Sequence, residues 1–352
     1  MESNKIIHFI EYSFLRELLL DEEVTDISFN GYSVFYMHNS LGRQASKIRI
    51  SNIDAKDFIR QLANLTEKQF SFQNPILDVT AGRYRINAVH NSIGRYGEEQ
   101  VVTFAIRIAS ISPKITDDSG FLPKPLISLI KTLLSKGVPI VIGGITGTGK
   151  TEFQKYLLGK MDPATRVIVI DNVLELSSNM LIEDTDMNIW QSDDKANNTS
   201  VQTLVRNALR SNPDWLIIAE SRGGEMLDIL NSVMTGHPVI TTIHARSVKL
   251  MPNRIARMVM MNDKRSDYDE VLQDIFLHFP IYFFLKRKVD KKGKVIRFID
   301  SIMVVDEIGN QFEIYKNLNG KHVYQPLPKS VLSLIDEADD ELFVSTFGGK
   351  GK

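Results

Sequence analysis

The chain has 352 residues, 43% hydrophobic and 24% charged, which is enough for two domains that each bury a core. Its formal net charge of −1 excludes a whole-protein field that would recruit nucleic acid or an anionic membrane, and the absence of cysteine excludes disulfides, cysteine-held zinc and thiol catalysis. The longest apolar runs, such as Phe279–Leu285, are too short to span a bilayer, and Met1–Tyr12 lacks the basic-then-apolar pattern of a secretory leader, so a cytoplasmic location is expected.

Taken in chain order, Phe14-Leu15 with Leu18-Leu19 gives a helical apolar face, and Val24–Phe29 alternates as a strand does. Ser51-Asn52-Ile53-Asp54 has the form of a helix cap and opens an amphipathic helix running to about Thr66. Arg83–His90 and Val101–Ile108 read as paired strands, so residues 1–111 are expected to form a small α+β domain. The polar stretch 112–125, with prolines and a glycine, reads as a linker. From Leu126 onward, apolar strands alternate with helices as in an open, mostly parallel α/β sheet. Beyond Val271 the pattern turns strand-rich. Ile281–Val289 and Val295–Val305 flank a turn, and Phe312–Tyr315 pairs with His322–Tyr324 through Asn319-Gly320. The dense basic run Lys286–Arg297 reads as a solvated hairpin tip. This second domain is placed at 126–347, with a disordered tail over 348–352.

The most specific signal lies inside that second domain. Gly144-Ile145-Thr146-Gly147-Thr148-Gly149-Lys150-Thr151 fits the phosphate-binding loop G-x-x-x-x-G-K-[ST] without a gap. A buried strand, Gly137–Ile142, leads in and a helix, Thr151–Leu158, leads out, the order this chemistry requires. The glycines let the backbone N–H groups of Thr146 to Gly149 turn around a phosphate, and the helix N-terminus adds its positive end. Lys150 would reach the β- and γ-phosphates of a nucleoside triphosphate, and the Thr151 hydroxyl would ligate Mg2+.

Three later segments narrow the kind of nucleotide enzyme. Arg166–Ile170 is an apolar strand that ends in Asp171 and, shortly after, Glu175; either carboxylate could lie near the phosphates and orient water. Trp215–Ala219 is a second apolar strand ending at Glu220, the form of a Mg2+-supporting carboxylate, with Arg222 nearby to pair with it or to add positive charge. Finally, Val239–Ile243 is a strand bracketed by His237 and His244. Two histidines without a cysteine are weak evidence for zinc, whereas a neutral imidazole at a strand end can hydrogen-bond a phosphate.

This ordered set resembles the secretion-superfamily traffic ATPases of type II and type IV secretion, conjugation and type IV pili. The phosphate loop matches the family's Walker A element, the strand ending in Asp171 and Glu175 its Asp box, Leu209–Arg222 its Walker B element, and Thr235–Ala245 its His box. Val24–Ile27, Arg83–Asn87 and Ala105–Ile108 resemble more loosely the strands of its N-terminal domain. Three departures stand out. Asn172 replaces a second acid, which leaves Glu175 as the catalytic carboxylate; Ala219 replaces a glycine; and the four-cysteine zinc module of the type II branch is absent, favouring type IV secretion, conjugation or pilus retraction.

The resemblance implies a RecA-like ATPase domain, an ATP and Mg2+ requirement, and a homo-hexameric ring that works at the cytoplasmic face of the inner membrane through secretion or pilus platform proteins. Gly144, Thr146, Gly147, Thr148, Gly149, Lys150 and Thr151 would then hold the phosphates and Mg2+. Glu175 and Glu220 would serve the attacking water and the metal, and His244 would read the γ-phosphate, with His237 and Arg222 in support. Arg107 and Arg85, with Arg83 third, would supply positive charge from the N-terminal domain. The rival expectation is a nucleic-acid-dependent motor of helicase or packaging type. Direct nucleic-acid contact is not expected, because no basic track interleaved with aromatics is visible.

Overall fold

Alternating apolar residues in the first hundred or so positions give a six-stranded sheet in the computed structural model, which describes residues 2–110, 113–176, 185–193, 198–291, 293–335 and 340–348. The chain divides into two units, Met1–Ser112 with Lys288–Ile296, and Pro113–Arg287 with Arg297–Lys352. The expected domain end at 111, the linker start at 112 and the tail residues 349–352 lie outside the described residues.

The first unit contains α1 (Glu2–Glu11), α2 (Arg16–Leu19), β1 (Val24–Phe29), β2 (Val34–His38), β3 (Gly42–Ala45), α3 (Asn52–Leu65), β4 (Ile76–Ala81) and β5 (Tyr84–Val89). It is completed by β6 (Arg95–Tyr96), β7 (Glu99–Gln100) and β8 (Thr103–Ile108). The large sheet is antiparallel, in the order β3-β2-β1-β8-β5-β4. Period-two alternation assigns its faces. Tyr84, Ile86 and Ala88 of β5 and Phe104, Ile106 and Ile108 of β8 are buried, in one core with Phe58, Ile59 and Leu62 of α3. Ser51 caps α3 as expected: its hydroxyl accepts from the Asp54 N–H at 3.1 Å, and the Asp54 carboxylate accepts from the Ser51 N–H at 3.0 Å.

The second unit contains α4 (Lys124–Ser135), β9 (Ile140–Gly143), α5 (Lys150–Leu158), β10 (Val167–Asp171), β11 (Met187–Gln191), α6 (Val201–Ala208), β12 (Trp215–Ile218), α7 (Met226–Met234) and β13 (Val239–Ile243). After these come α8 (Met251–Asn262), α9 (Tyr268–His278), β14 (Ile281–Val289), β15 (Val295–Val305), β16 (Gln311–Leu318), β17 (Lys321–Tyr324), α10 (Lys329–Leu332) and α11 (Glu341–Phe347). The strand order is β11-β10-β12-β13-β9-β14-β15-β16-β17. From β11 to β14 every pairing is parallel, and β15/β16 and β16/β17 are antiparallel. The parallel strands β9, β10, β12 and β13 are buried along their whole length, because helices cover both faces. Ile115 and Leu122 also enter this core, so the stretch read as a linker is folded into the second unit from Pro113 onward. Among the described residues, no helix is long and apolar enough to cross a membrane.

Candidate nucleotide site

All four motif strands run in the same direction, and their registers align Ile170 with Ile218, Ile218 with Thr241, and Thr241 with Val141. Their C-terminal ends therefore form one edge, where an open α/β sheet presents its ligand crevice. β9 reaches that edge at Gly143 and turns into the phosphate loop. Gly144 has φ 157, and a Cβ there would lie 2.6 Å from the Thr148 hydroxyl and 2.7 Å from the Leu285 carbonyl, so a larger residue would displace the loop. Gly149, at φ 93, is the left-handed residue that starts α5, a conformation costly for any side chain. Thr148 is fully buried, and its hydroxyl donates to the Ile145 carbonyl at 2.9 Å, bracing the loop across its own width.

Lys150 opens α5 and is only 9% exposed. Its Nζ lies 3.2 Å from the Gly144 carbonyl and 3.5 Å from Nδ1 of His244. The other ring nitrogen of His244, Nε2, lies 2.8 Å from Oε1 of Glu220, and Oε2 of Glu220 accepts from Arg222 at 2.7 Å. Lys150, His244, Glu220 and Arg222 thus form a continuous line of polar contacts along the strand ends. The Glu220–His244 contact has the length of an ion pair but not the alignment of a hydrogen bond, so Oε1 is shielded from water without a hydrogen-bond partner among the described residues. Burial pushes the Glu220 carboxyl up, but the hydrogen bond and charge of Arg222, then the charges of His244 and Lys150, outweigh it and hold it below its ordinary value.

Two threonines explain how a polar pair can sit inside a fully buried strand. The Thr241 hydroxyl pairs with Ser221 at 2.7 Å, and the Thr242 hydroxyl donates to the Ala219 carbonyl at 2.8 Å. Together with the Ser221 N–H on the Thr242 carbonyl (2.9 Å), they fix the backbone on both sides of Glu220. Gln154 of α5 adds a 2.9 Å bond to the Ile218 carbonyl, tying the helix behind the phosphate loop to the same strand.

Asp171 has a structural task rather than an exposed one. It is 2% exposed and accepts the N–H groups of Val173 and Leu176, both at 2.9 Å, so its carboxylate staples the turn that carries Glu175. Within that turn Leu174 has φ 58, an unusual conformation for a bulky side chain and a local strain beside a candidate catalytic residue. Glu175 stands at the same sheet edge as Lys150. Because β12 and β13 lie between β10 and β9, the two strands are separated by about 14 Å, three inter-strand spacings. Glu220 is one strand closer. Asn172, where the family has an acid, lines with Glu220, Arg222 and Gly224 a cavity of about 350 Å³.

His237 does not belong to this cluster. It precedes β13, whereas the phosphate loop follows β9, and the two strands are parallel. A five-residue strand is roughly 17 Å long, so His237 sits at the opposite edge of the sheet, where its Nδ1 meets the Thr235 hydroxyl at 3.2 Å. The expected supporting role for His237 is therefore corrected. Of the N-terminal arginines, Arg107 pairs with Arg85 across β8 and β5, and with Asp26 of β1, on the exposed face of the first unit's sheet. Arg83 is instead a structural tie: it donates to the Tyr84 hydroxyl at 2.9 Å and to the Leu19 carbonyl at 3.0 Å, with Glu11 at 3.9 Å.

Two residues at the loop escaped the sequence reading. Arg297 of β15 donates through Nε to the Gly147 carbonyl at 2.9 Å, and a Cβ on Gly147 would lie 3.1 Å from a guanidinium nitrogen of Arg287. Both fall in the basic run read as a solvated tip. Their strand positions carry no motif, and only the β14 pairing with β9 brings them alongside the loop. A further cavity, of about 550 Å³, opens beside Ile145, Thr146 and His244 and is lined by Arg246, Arg254 and Arg257.

Comparison with known proteins agrees with this geometry. Residues 55–276, more than half of the chain, match the family described as "Type II/IV secretion system protein". An uncharacterized protein of Bacillus anthracis is 29% identical over 97% of this chain and 80% of its own length. The type IV secretion system protein PtlH homolog of Bordetella bronchiseptica is 29% identical over 45% of this chain, an alignment that spans only 50% of that relative. Among solved structures, the Legionella pneumophila ATPase DotB superposes with a TM-score of 0.63 at 20% identity, covering 84% of this chain and 80% of its own. The pilus retraction motor PilT with bound ADP gives 0.59 at 17%, covering 83% and 82%. At these identities the likeness is one of fold, a RecA-like α/β domain behind a smaller α+β domain. The family match and the ordered motifs together place the chain in the type II/IV secretion system protein family, the secretion traffic ATPases.

Proposed function

We propose that this protein is a hexameric ATPase that powers a type IV secretion, conjugation or pilus apparatus from the cytoplasmic face of the inner membrane, acting on platform or coupling proteins there. The observation that carries the reading is the line Lys150–His244–Glu220, assembled from three separate strand ends at the mouth of a complete phosphate loop. The Bordetella relative bears a type IV secretion name, and a structural neighbour was solved with ADP.

In this reading, the loop amides and Lys150 bind the β- and γ-phosphates of ATP. Glu175 orients or deprotonates the attacking water, its position set by the Asp171 staple. His244, touching both Lys150 and Glu220, senses whether the terminal phosphate is present. The residues suit Mg2+: Thr151 lies in the first turn of α5, and the shielded Oε1 of Glu220 can accept a metal-bound water. No group of three acidic or histidine side chains able to hold a metal occurs among the described residues, so phosphate oxygens would supply most of the ligands. When bound, the ion would neutralise charge on the phosphates. Arg107 and Arg85 supply further positive charge from the first unit, and hydrolysis changes how the two units are held.

The test is phosphate release by the full chain. Lys150→Ala and Glu175→Gln should each lower turnover by about a hundredfold or more while melting like the wild type. Near-normal turnover in Lys150→Ala would end the nucleotide reading. Arg107→Ala should lose hydrolysis but keep nucleotide binding; unchanged turnover removes Arg107 from the site.

A further inference from the structure

β14 and β15 are joined by a turn in which the Asp290 N–H donates to the Lys294 carbonyl at 2.9 Å. The turn segment, Lys288–Ile296, belongs to the first unit, where the Val295 N–H donates to the Ser40 carbonyl at 2.6 Å. Immediately inside it on either strand stand Arg287 and Arg297, which belong to the second unit and meet the phosphate loop. Arg297 holds the Gly147 carbonyl at 2.9 Å, and its Cδ would lie 3.6 Å from a Cβ on Gly149. Gly147 and Gly149 have φ 77 and 93, so the loop here is bare backbone against which the two guanidinium side chains fit.

A loop that grips phosphate must turn its N–H groups inward, which directs carbonyls outward. A guanidinium bonded to such a carbonyl fixes the peptide plane and adds positive charge near the ligand. We infer that Arg297 is a positioning residue for the phosphate loop, that Arg287 supports it electrostatically, and that the pair links occupancy of the loop to the hairpin tip held by the first unit. The inference rests on the nucleotide reading above and assigns a lever to it. The lever is the hairpin itself, whose strands carry the arginines and whose tip belongs to the other unit.

The test uses the full-length wild type, Arg297→Gln, Arg297→Lys and Arg287→Gln, titrated with fluorescent ADP and Mg2+ and assayed for steady-state hydrolysis. Arg297→Gln should weaken ADP binding and raise KM by about tenfold with kcat within about threefold, the pattern of a lost binding geometry. Arg297→Lys, which keeps a charged donor, should recover much of that loss, and Arg287→Gln should weaken binding by roughly threefold. By hydrogen exchange, ADP should slow the Val295 amide in the wild type and leave it unchanged in Arg297→Gln. Wild-type affinity and exchange response in Arg297→Gln would overturn the proposal, as would equal losses in the Gln and Lys variants. A wild type that binds no nucleotide would instead fail the nucleotide reading itself, a result that does not depend on Arg297.

Discussion

Glu220 shows how single residues in this site divide between holding and reacting. Its Oε2 is committed to Arg222, while Oε1 is shielded and lacks a hydrogen bond among the described residues. A carboxyl held below its ordinary 4.5 contributes stability that is present at neutral pH and is lost as pH falls through the lowered value. Glu220→Gln should therefore be less stable than wild type at pH 7 by about 1 kcal/mol, a modest figure because Arg222 is largely exposed. That gap should close as denaturation is repeated at pH 4.5 and below; a gap independent of pH would show that the charge is not what stabilises. Residue roles were only partly legible. The strand pattern alone leaves Asp171 and Glu175 open, and the resemblance favours Glu175; the two backbone N–H groups collected by Asp171 mark that carboxylate as a staple. His237 and His244 likewise flank one strand symmetrically, but a parallel strand has one functional end, and only His244 occupies it.

Elements were legible where local chemistry was strong. The Ser51 cap, the β1 alternation and the Asn319-Gly320 turn, with φ 56 and 100, follow from side chains that act on their own neighbours. Ser51→Ala should cost about 1 kcal/mol in chemical denaturation by removing one partner of the Asp54 N–H. No loss would mean that the Asp54 carboxylate alone secures the helix start. Strands β2, β3, β4, β6, β7 and β11 were not foreseen. β3 is short and carries Gly42, Arg43 and Gln44, so its pairing with β2, rather than its own pattern, makes it a strand. β11 is half exposed at the margin of the sheet and alternates weakly. Arg287 and Arg297 were missed for a related reason: charged residues beyond a buried strand look solvated until the strand's neighbour is known.

For the whole molecule, the sequence placed a linker at 112–125 between two domains, whereas the two units first part between Ser112 and Pro113. The sequence could not reveal the other two crossings, at Arg287/Lys288 and Arg297/Ile296, because a hairpin tip bears no trace of the body it joins. The core of the first unit draws all its described residues from Ile10 to Ile108, with none from the tip. Residues 1–112 expressed alone should therefore fold cooperatively, with dispersed amide resonances and a single melting transition; a molten fragment would show that the tip is needed. The threefold passage of the backbone also constrains how such proteins can be recombined. A chimera that exchanges only the front segment of two relatives would mate one protein's Ser40 turn with the start of the other's Val295 strand. The inherited module is thus discontinuous: replacing it faithfully means grafting 288–296 along with 1–112, and insertion or deletion in that short stretch alters both halves at once.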